Sequence, residues 1–153
     1  MPWNRRLQRA RERLDQRMAL LPPASQVATP TKGWIRALRD ALGMSAAQLG
    51  ARMGIRSQSV DDMEKAEQKG SITLASLQRA ATAMDCTLVY ALVPKTSLEE
   101  MVRARARSIA LAAIASVDQT MALEDQAVAA DLEQQLEDYI ADYISERDLW
   151  SGK

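Results

Sequence analysis

The chain has 153 residues, 47% of them hydrophobic and 26% charged, with a formal net charge of zero, which is enough for one ordinary domain or a small binding unit flanked by helical extensions. With no Phe, three Trp and three Tyr, the core has to be built from aliphatic side chains, Met and Ala. The lack of His and the single cysteine, Cys86, exclude thiolate or imidazole zinc cages, histidine-based catalytic triads and any disulfide within the chain, so no metal, cofactor or enzymatic chemistry is expected. No signal-peptide core or bilayer-length apolar run is evident, and a cytoplasmic location is expected.

The zero net charge conceals an asymmetry. Residues 1–21 carry six Arg against Glu12 and Asp15, a net of +4; residues 31–95 net +3; residues 96–153 net −7. A basic front can face a polyanion, while an acidic back faces solvent or a protein partner.

In chain order, Trp3, Leu7, Ala10, Leu14, Met18 and Leu21 recur at three-and-four spacing, which predicts a basic amphipathic helix over 1–21. Its crowd of arginines is either a solvated face or a surface for phosphate or an acidic partner. Pro22, Pro23 and Pro30 bracket an uncharged, aperiodic stretch, so 22–33 reads as a linker. Helical pattern resumes at Trp34. Ile35, Leu38 and Leu42 mark one apolar face closed by Gly43; Ser45 can cap a second helix carrying Leu49 and Met53 and closed by Gly54; Ser57 can cap a third, with Val60 and Met63 inward. A fourth helix is expected from about Thr73 to Met84. The period then changes at 87–93, which is β-branched and apolar and is stopped by Pro94. It predicts the chain's one strand. Such a strand needs a partner for its backbone, and its twin in a second copy, paired antiparallel across a two-fold axis, is the expected one; a homodimer follows. From 95 to 153 an acidic helical region is expected, with a break near 118–120 and a heptad-like stripe at Val128, Leu132, Leu136, Tyr139 and Tyr143.

The stretch from Ile35 to Glu64, IRALRDALGMSAAQLGARMGIRSQSVDDME, resembles the phage-repressor (Xre) class of helix-turn-helix domains. Leu49, Met53, Val60 and Met63 would interlock two helices across the Gly54 turn and leave the outer face of the third free for a major groove. The resemblance implies a mainly all-α, lambda-repressor-like fold over 34–94, ending in the short strand and flanked by helices on both sides. It implies that Arg39 and Glu64 form a structural pair between helices, and that Arg56, Ser57, Gln58 and Asp62 fall where base-reading and adjacent residues sit. The Gln58 amide matches the donor and acceptor of an adenine edge; Arg56 suits guanine or a phosphate oxygen; Ser57 is open between DNA contact and N-cap; Asp62 between cytosine N4 and a plain surface charge. Backbone amides at Ser45, Ala46 and Ala47 would face phosphate, with Arg52, Lys65 and Lys69 as further backbone contacts. Ala46 stands where many relatives carry glutamine, and Asp61 and Asp62 bring negative charge to the approaching helix.

The segments GSITL at 70–74, DCTLVYALVP at 85–94 and TMALEDQ at 120–126 resemble the family called mobile mystery protein A, across nearly the whole chain. That resemblance implies a DNA-binding transcriptional regulator, a repressor or autoregulator with an antitoxin-like role, encoded beside a Fic-domain protein. The alternative it implies is a protein-binding antitoxin whose C-terminal helices inhibit that partner. Thr120 and Glu124 resemble the Ser/Thr and Glu of Fic-inhibitory helices, and Asp125 departs from that pattern at its last position.

Overall fold

The computed structural model describes residues 3–118 and 128–152. By its contacts the chain divides into two units, Pro22–Leu92 and Met1–Leu21 with Val93–Lys153.

The first of these holds four helices, α2 (Trp34–Ala41), α3 (Ala46–Met53), α4 (Ser57–Gln68) and α5 (Leu74–Ala83), while α1 (Arg5–Met18) belongs to the other unit. A single 3-10 turn, Ala24–Val27, lies in the proline-bracketed stretch before them. Ile35, Leu49, Val60, Ala80 and Met84 form the core, with Leu38, Met53, Met63 and Leu77 packed around it. Complete removal of the Leu49 and Val60 side chains from water contributes about 1.5–3 kcal/mol each. Leu42, expected on the inner face of α2, is instead exposed at that helix's C-cap. The turn between α3 and α4 is tight because Gly54 adopts a left-handed φ of 71° and the Ile55 amide donates to the Gly50 carbonyl at 2.9 Å. Gly50 matters for another reason: a Cβ there would lie 2.7 Å from the Ile55 carbonyl oxygen.

Two sequence expectations are corrected in this unit. No strand forms among the described residues, and 87–93 carries no regular secondary structure. A strand exists through its ladder, and nothing else in the described chain is extended beside it to supply one. Ser57 does not cap α4. The N-cap is Arg56, which makes no side-chain capping bond, and Ser57 is already the first helical residue; the helix begins one position earlier than a capping serine would place it.

The other unit holds α1 (Arg5–Met18), α6 (Leu98–Asp118) and α7 (Val128–Tyr143). Val102, Ala106 and Leu149 make its core, with Trp3, Ile109, Ile140 and Ile144 around it. Alanine at 106 and 110, both fully buried, lets neighbouring backbones approach closely. The α1 stripe packs toward α6 without full burial, Leu7 and Leu14 remaining 40% and 42% exposed. Charge fixes the packing: Arg11 donates to Glu99 at 2.7 Å and Glu146 at 3.2 Å, and Asp15 accepts from the Leu98 amide at 2.8 Å, capping α6. On α7, Leu136 is buried, and the Tyr139 and Tyr143 rings lie 5.0 Å apart. Thr120 and Glu124 lie outside the described residues.

Candidate nucleic-acid interface

Burial on α4 is one-sided. Val60 and Glu64 are buried and Met63 and Glu67 half-buried, whereas Arg56, Ser57, Gln58, Asp62, Lys65 and Lys69 are exposed. At about 100° per residue, Gln58, Asp62, Lys65 and the C-cap Lys69 share an arc of roughly 60°. The four therefore form one outward ridge opposite the core.

The scaffold beneath the ridge is polar as well as apolar. Arg39 on α2 donates from Nε to Glu64 Oε1 at 2.6 Å and from a terminal nitrogen to Glu64 Oε2 at 3.3 Å, and its other terminal nitrogen reaches the Met44 carbonyl at 2.9 Å. Both side chains are buried. The hydrogen bond to Glu64, opposed by burial and aided by the charges of Glu64, Asp40 and Asp61, holds the Arg39 guanidinium even further above its ordinary pKa. The fork-to-fork geometry sets the rotation of α4 against α2. At the other end of α4, Glu67 accepts from the Trp34 and Ile35 amides at 2.7 and 3.0 Å. A residue of the outward-reading helix thus caps α2, whose own N-cap, Gly33, has no side chain to do it.

At the start of α3, Ser45 Oγ accepts from the Gln48 amide at 3.1 Å and Gln48 Oε1 accepts from the Ser45 amide at 2.8 Å, a reciprocal capping box. That box occupies two of the free amides. The Ala46 and Ala47 amides have no acceptor among the described residues and sit at the positive end of the helix dipole, where an anion is favoured.

On the ridge itself Gln58 Nε2 donates to Asp62 Oδ1 at 3.1 Å. The carboxylate thereby fixes which edge of the amide carries the donors, leaving Gln58 Oε1 and one N–H facing outward. Arg52 is placed differently from a free backbone contact. Its Nε donates to the Ala83 carbonyl and a terminal nitrogen to Asp85 Oδ2 at 3.1 Å, so it ties α3 to the end of α5, where Asp85 takes a left-handed φ of 57°. Neither that tie nor the Glu67 cap is legible in the sequence. The only signal for either was a charged residue at a helix end, which many surfaces share. Among the described residues no group of three or more His, Cys, Asp or Glu is placed to hold a metal ion.

Two short helices locked across a glycine turn, with the second presenting a polar ridge, form a helix-turn-helix motif. Residues 35–90 match the family model described as Helix-turn-helix, spanning α2 to α5 and the segment after them. No curated protein and no solved structure matches the chain. No helix among the described residues is long and apolar enough to cross a membrane.

Proposed function

We propose that this protein is a sequence-specific transcriptional regulator that lays α4 in the major groove of an operator. The observation that carries this reading is the ridge: Gln58, Asp62, Lys65 and Lys69 stand exposed on one arc of α4 while Val60 and Glu64 on the reverse are buried. Gln58, its amide oriented by Asp62, reads a base edge, with Arg56 and Ser57 beside it. The Ala46 and Ala47 amides, Lys65, Lys69 and the Ser45 hydroxyl hydrogen, the Ser45 amide being taken by Gln48, hold the phosphates, and Arg39 with Glu64 keeps the helices in register. Arg52 contributes in part by anchoring α3 and in part through its own charge.

Two copies present two such helices to half-sites about 34 Å apart. Val89, Tyr90 and Leu92, exposed by 79%, 71% and 90%, support pairing of 87–93 with the same segment of a second copy. The resemblance of 85–94 to a family of repressors with antitoxin-like pairing extends the reading to repression at an operator near the protein's own gene. Footprinting the full chain on its own upstream region tests this. A protected pair of sites one helical turn apart is expected; uniform protection, or none at low salt, would rule it out.

A further inference from the structure

The arginines of α1 are arranged in a way that helix stability does not explain. Arg5, Arg9, Arg13 and Arg17 follow one another at i,i+4, and Arg6 lies beside them. At about 100° per residue all five fall within an arc of roughly 120°. Each is exposed, and none of the five side chains has an ion pair or hydrogen-bond partner among the described residues. In the same unit Arg11, Arg103, Arg105 and Arg107 each meet an acceptor: Glu99 and Glu146, Glu99, the Leu149 carbonyl, and Glu133 respectively. Acidic partners are therefore plentiful nearby, yet none is placed on the ridge. Glu12, at its edge, accepts from Gln8 instead.

The arrangement works against the helix. Three successive like-charged i,i+4 pairs repel, and Arg5 and Arg6 sit at the positive end of the dipole with no acidic residue in the first turn. A polyanion laid along the ridge relieves both. We propose that the Arg5, Arg6, Arg9, Arg13 and Arg17 face of α1 is a second phosphate-binding surface, which takes the backbone of duplex DNA without regard to sequence; the choice of duplex rests on the helix-turn-helix reading above.

Spacing and chemistry favour this ligand. The row advances about 6 Å per i,i+4 step, comparable with the separation of successive phosphates along a strand, and guanidinium forks suit phosphate oxygens. No aromatic or aliphatic side chain interrupts the ridge, as an anchor for a protein partner would. The apolar stripe of α1 packs toward α6, Leu7 and Leu14 being 40% and 42% exposed, and Trp3 packs on that unit's core, so much of the face that would sink into a lipid interface is already engaged.

The test uses the full chain carrying both Arg9→Gln and Arg13→Gln, titrated with a random-sequence duplex over a range of salt. Affinity should fall roughly tenfold at about 100 mM salt and the log–log salt slope should flatten by about two, one for each guanidinium that no longer meets a phosphate. The preference for operator over random duplex should not change, and the melting temperature should not fall, since the substitutions relieve the like-charge pairs of α1. Arg147→Gln, exposed and off the ridge, should behave as wild type, and an equal loss per charge there would reduce the effect to net charge and overturn the proposal. An unchanged slope in the double variant, with Gln58→Ala still losing operator preference, would overturn the ridge and leave the helix-turn-helix reading standing. A flattened slope with no effect of Gln58→Ala would do the reverse. Loss of binding to phosphatidylglycerol vesicles or an acidic peptide, with duplex binding intact, would assign the ridge to another partner and overturn it.

Discussion

The carboxylate of Glu67 occupies the space that a side chain on Gly33 would need: a Cβ added to Gly33 would lie 2.6 Å from Glu67 Oε2. The two are joined through the Trp34 and Ile35 amides that Glu67 caps, so the glycine is the condition for the cap. Gly33 also has a φ of 85°, in the left-handed region that L side chains disfavour. Gly33→Ala is expected to lower stability by ~1–3 kcal/mol, read by denaturant unfolding. Glu67→Gln, which keeps one acceptor oxygen, should cost less than Glu67→Ala.

Gly50→Ala is expected to be worse tolerated than Gly54→Ala in packing terms. The new methyl at 50 meets the Ile55 carbonyl backbone, whereas nothing lies within 4 Å at 54 and only its φ of 71° is strained. A loss of ~1–3 kcal/mol from overpacking at Gly50 should come with weakened DNA binding, because the displaced atom belongs to the turn that sets α4. Paired thermal melts and anisotropy titrations of the two variants check this.

The Arg11 network makes one unit acid-sensitive. Burial raises the Glu99 pKa, but hydrogen bonds from Arg11 and Arg103 outweigh it and leave the carboxyl below its ordinary value of 4.5. A group depressed on folding stabilises above its unfolded pKa, and that contribution disappears as pH falls from about 4.5 through the lower folded value. Arg11→Met should cost about 1–3 kcal/mol at neutral pH, since Glu99 and Glu146 lose a charged donor, and should flatten the acid limb of the stability curve. Denaturant melts from acid to neutral pH measure both.

The exposed apolar run after α5 gives a prediction on assembly. If 87–93 pairs with its twin, Leu92→Asp should shift the sedimenting species from dimer toward monomer and weaken operator binding, with little change in the helical signal. A dimer of unchanged strength would move the interface elsewhere.

The parts of this fold that are legible in sequence are those written in short range. The spacing of Leu49, Met53, Val60 and Met63, the Ser45 cap and the Gly54 turn identify the two locked helices from residues less than a turn or two apart. The strand expected at 87–93 rests on β-branched residues, whose preference describes a pleated, partnered surface that one copy does not supply. Ties across long stretches leave no local trace. Arg11 meets Glu99 and Glu146 across 88 and 135 residues, and Glu67 reaches back 32 to the Ile35 amide. The same holds on the site: Gln58 is visible as a candidate base reader, while Arg52's engagement with Ala83 and Asp85 depends on where α5 ends.

The most direct test of the central claim compares wild type with Gln58→Ala on an operator selected from a random duplex pool and on random duplex. A loss of ~1–3 kcal/mol on the operator alone, relaxed preference at one base position in each half-site, and an unchanged salt slope are expected. Equal loss on both duplexes, or no loss on either, would contradict that claim.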